Sequence, residues 1–308
     1  MQVAIVGGGI CGLYLAWKLS ERGHKVKVFE KKEEIGEKIC SGLYSERILE
    51  FIPESKKLIQ NEINFVLIHF PQKTIKVSFS KKFFVISRFE LDKMVFNFAK
   101  KAKSEILLNS HIISIPKGYD CVIGCDGAHS YIRKKLGLLE PKYRLGVLGL
   151  KKELGSFANN NFVEVWPVKT GFFWKIPKSD NQVEYGLIAE PKQILQLKEN
   201  DFLKGLDLKS RPIPQGFIIP SCSKITLCGD ATGLTKPWSG GGVVWSLTSA
   251  NILLKYFPDF LKYKKAMKKF FIPKIILSKT ALRLAYFLGF KTPYFLPSNL
   301  LIESDFLL

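Results

Sequence analysis

This 308-residue chain has no run of about eighteen uncharged apolar residues, so it contains no candidate membrane-spanning helix. Its greasiest stretch, Phe270 to Phe290, is interrupted by Lys274, Lys279 and Arg283. C-x-x-C spacing is also missing. The six cysteines (Cys11, Cys40, Cys121, Cys125, Cys222 and Cys228) fall mostly in predicted strands and turns. That pattern excludes a disulfide framework and a cysteine metal site, and it implies reduced thiols in a cytosolic protein. The four histidines, His24, His69, His111 and His129, form no cluster, so no metal is expected. Repeats, low-complexity tracts and Gly/Ser-rich tethers are absent, which excludes a solenoid or a string of tethered domains. The chain starts directly on an apolar strand, so no signal peptide is expected. Acids are scarce against bases, 27 to 47, for a net charge of +20.

What is present begins at the N-terminus. Val3 to Val6 is a buried-strand run, followed by Gly-Gly-Gly-Ile-Cys-Gly, with Gly7, Gly9 and Gly12 at G-x-G-x-x-G spacing. A helix with Ile10, Leu13, Ala16, Trp17 and Leu19 inward comes next, and Gly23 caps it. The following strand, Lys25 to Phe29, ends in Glu30. Strand, glycines, helix, strand and acid together form a dinucleotide fingerprint. The glycines permit close approach of a diphosphate, Cys11 fills a small slot between them, and Glu30 accepts from ribose hydroxyls. NAD and FAD both fit this half.

The segment LCGDATGLTKPWSGGGV, Leu227 to Val243, is a strand, a turn and three glycines before an apolar helix. Gly229 and Asp230 sit in the turn, and Gly241, Gly242 and Val243 lead into the helix. Backbone N–H groups exposed at glycines suit an anionic or carbonyl-bearing ligand. The segment resembles the ribityl-binding motif of FAD-dependent reductases and monooxygenases. The middle run, DCVIGCDGAHSYIRKKLG, resembles the DG motif of the aromatic-hydroxylase-like flavoproteins, with Asp126 and Gly127 in the turn and Ser130 and Arg133 opening the next helix. NAD dehydrogenases have no reason to carry these two motifs, so the resemblance implies FAD, and it adds Lys31, Arg88 and Ile112 as cofactor contacts.

Two further stretches resemble geranylgeranyl reductases, including the archaeal digeranylgeranylglycerophospholipid enzymes. KICSG places Lys38, Cys40 and Gly42 as in their K-x-C-G-x-G loop, with Ser41 for the first glycine. The resemblance implies that Cys40, Ser41 and Gly42 reach the flavin, although Cys40 also reads as a small apolar filler. PVKTGFFWKIP matches part of P-x-x-Y-x-W-x-F-P: Trp174, Ile176 and Pro177 align, Phe172 replaces the Tyr, and Pro167 lies two residues early. These four residues, Phe172, Trp174, Ile176 and Pro177, are the implied substrate wall. Halogenases carry W-x-W-x-I-P, and this chain lacks the first Trp.

The expected fold is α/β (α+β): a Rossmann-like FAD-binding domain, an inserted antiparallel substrate sheet and a short helical C-terminus. The expected boundaries are 1–62, 84–144 and 215–256 for the FAD domain, 63–83 and 145–214 for the sheet, and 257–308 for the tail. Residues 45–51 read as a short helix, Asn64–Phe70 and Thr74–Phe79 as a hairpin, Phe83–Ile86 as another strand, and Arg88–Ala102 as an amphipathic helix. Short strands are expected across Glu105–Ile115, and Pro273, Pro293 and Pro297 are expected to break the tail.

The +20 charge fits an anionic membrane surface or a Lys-rich composition bias. No nucleic-acid motif accompanies it, so nucleic acid is not expected as a partner. Phe260, Tyr263, Met267 and Phe270 share a helical face opposite Lys262, Lys265, Lys268 and Lys269. That face predicts either peripheral docking on anionic lipid or a capping helix with solvated lysines.

The implied reaction saturates a C=C bond of a prenylated lipid by hydride transfer from reduced FAD. Cys40 and Tyr44 are the candidate acids. No second dinucleotide fingerprint is present, so ferredoxin or a transiently docking NAD(P)H is the expected electron donor. An FAD monooxygenase, a halogenase and a non-catalytic lipid-binding flavoprotein remain as alternatives.

Overall fold

The computed structural model describes residues 1–36, 39–153 and 156–302. In chain order the elements are β1 (Gln2–Val6), α1 (Ile10–Glu21), β2 (Lys25–Phe29), β3 (Leu43–Ser45), α2 (Ile48–Phe51), β4 (Ile59–Phe70), β5 (Lys73–Ile86) and α3 (Arg88–Lys101). Then come β6 (Glu105–Leu107), β7 (Cys121–Gly124), α4 (Tyr131–Lys135), β8 (Lys142–Lys152), β9 (Phe162–Val168), β10 (Gly171–Pro177) and β11 (Gln182–Ala189). The chain closes with α5 (Pro191–Lys198), β12 (Lys209–Gln215), β13 (Ile225–Leu227), α6 (Val243–Tyr256), α7 (Phe260–Lys291) and β14 (Asn299–Ile302). Two compact units result. One comprises Met1–Lys38, Phe89–Lys142 and Pro214–Ile275, and the other Ile39–Arg88, Tyr143–Ile213 and Ile276–Leu308.

The first unit is built on a five-stranded, all-parallel sheet in the order β13-β7-β1-β2-β6. Its central strands β1 and β7 are short and apolar because both faces are covered. Ala4, Val6, Val122, Ile132, Leu227 and Ala231 form one core cluster. Helix α1 is buried over more than the single stripe expected, from Ile10 to Ala16. The reason is a second partner: Tyr14 donates to Asn251 Oδ1 of α6 at 2.8 Å. Trp17 is only half-buried and packs on Phe98 at 4.8 Å.

The second unit is a nine-stranded sheet, β12-β8-β11-β10-β9-β4-β5-β14, with β3 paired on β5. It is mixed, which corrects the antiparallel expectation: β4 pairs parallel to β9, and β14 parallel to β5. The expected hairpin is present but longer. Phe83–Ile86 continues β5 rather than forming a separate strand. Side-chain alternation gives β10 two faces. Phe173 joins Val147, Leu187 and Ile194 on one face. Ile176 joins Ile63, Val85 and Val163 on the other, with Trp174 packed against them.

Several boundaries differ from the sequence reading. Residues 39–62 sit in the second unit because β3 and β4 both pair with β5. The helix at 45–51 shrinks to Ile48–Phe51. Only Glu105–Leu107 of the 105–115 stretch is a strand. Pro273 does not break the tail, since α7 runs through it for 32 residues. An internal Pro costs a helix about 3 kcal/mol. Anchors on both sides offset that: Tyr263 donates to Leu227 O at 3.1 Å, and Tyr286 donates to Gly171 O at 2.7 Å. The tail is not purely helical either, since it includes β14 on the large sheet.

Candidate dinucleotide site and the Cys40 loop

The first unit gathers the three glycine-containing motifs at the carboxyl ends of β1, β7 and β13, which are neighbours in the sheet. Open parallel sheets bind ligands at such strand ends. After β1, Gly7 turns with φ +105° and donates to Phe29 O at 2.8 Å. A Cβ on Gly7 would stand 2.4 Å from Cys125 O, and one on Gly12 would stand 2.0 Å from Gly7 O. Glycine is therefore obligatory at both positions for strand and helix to approach. Gly9 is the N-cap of α1, whose first-turn N–H groups have no helical acceptors.

Glu30 stands at the end of β2, 9% exposed. Its Oε2 accepts from Gly8 N at 2.5 Å and its Oε1 from Lys32 N at 3.0 Å. A carboxylate offers about four lone-pair sites, so two remain for ribose hydroxyls. Lys31 is exposed beside it, and Ile112 packs on the sheet core.

Asp126 serves the loop itself. It accepts from Ser130 Oγ at 2.6 Å and from Ile132 N at 3.0 Å, capping α4. Burial raises its carboxyl pKa, and these bonds oppose the rise. Gly127, at φ +84°, has open space where a Cβ would point. Arg133 is fully buried and ties the second motif to the third. It donates to Ala128 O at 2.7 Å, to Ala231 O at 2.8 Å and to Glu140 Oε2 at 2.6 Å. Lysine reproduces one of those contacts at most, so Arg133→Lys should lower stability by about 2–3 kcal/mol in denaturant unfolding. Loss of less than about 0.5 kcal/mol would show that the three contacts do not hold the loops together.

In the third motif, Asp230 Oδ1 lies 2.9 Å from where a Cβ on Gly242 would sit. Any side chain at Gly242 pushes the carboxylate aside. Gly241 precedes it, and Val243 opens α6. Gly229, at φ +66°, stands over Cys11, whose Sγ lies 3.0 Å from a Cβ built there. Cys11 also donates to Ser246 O at 3.8 Å. The thiols of Cys11 and Cys228 are held well above the ordinary cysteine range, the first chiefly by Cys125 and the second by burial. They are packing groups, not nucleophiles.

The second unit holds the remaining candidates. Cys40 Sγ lies 3.5 Å from Tyr44 Oη and accepts from Gly42 N at 3.4 Å. Gly42, at φ +68°, cannot carry a side chain, because a Cβ would meet Ile86 O at 2.3 Å. Arg88 is buried at the start of α3. Lys38 lies outside the described residues.

Phe172 and Trp174 share one face of β10, with ring centroids 5.9 Å apart. Pro177 ends the strand. The Trp174 ring lies over Gly186, where an added Cβ would come within 2.1 Å of it. Its indole donates to Glu184 Oε1 at 2.8 Å. Buried Glu184 pairs with Lys178 at 3.1 Å, and Lys178 Nζ donates to the carbonyl oxygen of Ser41. The sequence reading missed Lys178, Glu184 and Gly186. The available signal was a glutamate and a glycine inside the apolar run QVEYGLIA, directly across from the Trp174 strand.

The donor set of the first unit fits FAD: an acid for the adenosine ribose, helix N-termini for phosphate, and Asp230 beside a glycine-lined helix start for a ribityl chain. A family model described as an NAD(P)-binding Rossmann-like domain matches residues 5–47. Digeranylgeranylglycerophospholipid reductase 2 of Methanopyrus kandleri is 27% identical, over 82% of this chain and 75% of its own. Kynurenine 3-monooxygenase of Anopheles gambiae is 22% identical, over 84% of this chain and 68% of its own. Among solved structures, a geranylgeranyl bacteriochlorophyll reductase-like protein from Thermoplasma acidophilum superposes with a TM-score of 0.79 at 20% identity, covering 92% of this chain and 86% of its own. The likeness to geranylgeranyl reductases carried by the motifs thus extends over most of the chain, on a fold shared with flavin-dependent oxidoreductases.

Proposed function

We propose that this chain is an FAD-dependent reductase that saturates C=C bonds in the prenyl chains of isoprenoid lipids. One observation carries the reading. The two stretches that resemble geranylgeranyl reductases are far apart in sequence, yet Lys178, next to Pro177, holds the carbonyl of Ser41. A loop carrying a thiol and a strand carrying Phe172, Trp174 and Ile176 are thereby fixed to each other within one unit.

Reduced FAD, when bound, supplies the hydride to one alkene carbon. The second carbon needs a proton, and Cys40 with Tyr44 behind it supplies one: the thiol gives its proton to carbon, the thiolate takes one back from the Tyr44 hydroxyl, and water reprotonates the phenolate. An isolated alkene stabilises charge poorly, so the two transfers depend on positioning in a dry, apolar site. The aromatic face of β10 suits a prenyl chain in shape and polarity. Electrons reach the flavin from ferredoxin or from NAD(P)H that docks transiently.

The test is anaerobic. Chemically reduced, flavin-loaded protein mixed with a geranylgeranyl lipid should reoxidise without oxygen, and each saturation adds two hydrogens to the product mass. Reoxidation that waits for oxygen would move the chain to the monooxygenase reading. Replacing the thiol, Cys40→Ala, should slow the reductive step roughly 10²–10⁴-fold, as loss of a general acid does, at unchanged flavin content. Wild-type rates in that variant would remove Cys40 from the proton path. Trp174→Ala should weaken turnover far more than flavin binding.

A further inference from the structure

Helix α7 changes character along its length. In its first half the apolar face is used up internally: Phe260, Tyr263, Met267 and Phe271 are all at most 1% exposed, and Phe271 packs on Trp245 at 5.2 Å. Lys262, Lys265, Lys268 and Lys269 are the solvated back of a packed helix. With its apolar side already packed, this half of the helix has no amphipathic face to insert, so of the two readings of the sequence it fits the capping helix with solvated lysines.

Beyond Pro273 the arrangement reverses. Tyr286, Leu288 and Gly289 form the packed side. Gly289 lets the helix lie directly on Phe70, where an added Cβ would be 2.2 Å from the ring. The opposite side shows Ile276, Leu277, Leu284 and Phe287 to solvent at 61, 52, 57 and 58%. Their spacing places them on one stripe of the helix. Three residues after the helix, Tyr294 and Phe295 are 91 and 78% exposed. Single exposed apolar residues are ordinary, but a contiguous stripe ending in two bare aromatics is not.

The charges around the stripe indicate what covers it. From Phe260 to Ile302 the chain has eight Lys, one Arg and no Asp or Glu. Lys279 and Arg283 are exposed along one edge of the apolar stripe, and Lys291 is exposed where the helix ends. Long cationic side chains at the border of an apolar stripe reach anionic headgroups while the stripe enters the acyl boundary, and Tyr is favoured at that depth. Among the described residues no helix is long and apolar enough to cross a membrane. We infer that the second half of α7, with Tyr294 and Phe295, is an interfacial anchor that lies in the surface of an anionic phospholipid bilayer. This inference is independent of the reductase reading, because its test involves no turnover.

The full chain, loaded with flavin, is sedimented with vesicles of mixed phosphatidylglycerol and phosphatidylcholine, or of phosphatidylcholine alone. Wild type should partition to the mixed vesicles and only weakly to the neutral ones. The pair Leu284→Ser and Phe287→Ser should lower partition at least about tenfold. These side chains are exposed, so the melting temperature should be kept. Lys279→Gln with Arg283→Gln should reduce the preference for anionic vesicles and its salt dependence. The Lys262, Lys265, Lys268 and Lys269 to Gln variant should retain most of its binding. Equal partition of wild type and the serine variant would overturn the inference. So would a wild-type dimer that the same serine pair turns into a monomer, since a second copy would then own the stripe.

Discussion

Glu30→Lys protein should purify colourless and resist reconstitution with FAD. Both Glu30 oxygens already accept a backbone N–H, from Gly8 and Lys32, which fixes the carboxylate at the end of β2 with lone pairs to spare. The substitution removes two charge-assisted acceptor sites for a ribose, each contributing about 1.5–3 kcal/mol. Flavin affinity should then fall by roughly 10²–10⁴. An ammonium also cannot accept from Gly8 N, so some local stability goes with it. Glu30→Gln separates the effects: it keeps one acceptor oxygen without the charge, turns the other site into an NH2 donor facing a backbone N–H, and should retain flavin weakly. Visible absorbance of the purified protein, with titration of FAD into apoprotein, reads the result. Wild-type flavin occupancy in the Lys variant would mean that this carboxylate serves the Gly8 turn alone.

Lys178→Met should strongly destabilise the second unit. Glu184 is 2% exposed, and its two oxygens serve Trp174 and Lys178. Removing the lysine strands a buried charge, which costs about 3–5 kcal/mol. Adding Glu184→Gln removes that charge while keeping an acceptor for the Trp174 indole, so the double variant should recover most of the loss. A coupling energy above about 2 kcal/mol in the double-mutant cycle is expected. Lys178 also holds Ser41, so the single variant should expose the half-buried Cys40, and thiol labelling should speed up. If Lys178→Met costs less than about 1 kcal/mol and labelling is unchanged, the Cys40 loop is held by its own backbone, through Gly42 and Ile86, and not by this chain of contacts.

The dinucleotide cradle was legible in the sequence because its spacing is local. Gly7, Gly12 and Glu30 lie within one strand-helix-strand unit at a readable spacing; Gly12 is demanded by nearby Gly7 O, whereas the contact that demands Gly7, Cys125 at the end of the neighbouring strand, is distant in sequence. The same holds for Asp126 and Ser130, which cap the helix that follows them. The alternation that gives β10 its Phe172, Trp174 and Ile176 face is a two-residue period, readable from the run itself. Those features set the α/β class and the order of the motifs.

Tertiary structure alone decided the rest, because it rests on pairings between distant segments. A strand's composition does not say which edge it joins, so neither the parallel pairing of β4 with β9 nor the return of β14 to β5 was readable. Lys178 and Ser41 are 137 residues apart. Nothing in either sequence neighbourhood announces the bond, which appears only when β10 and the Cys40 loop are folded together. The two halves of α7 make the same point. The first half is Lys-rich and amphipathic and turns its apolar side to Trp245 and Leu227, whereas the greasier second half packs one side and leaves an apolar stripe bare. Periodicity fixes which side chains share a face, and only the neighbours packed around the helix fix whether that face meets protein or solvent.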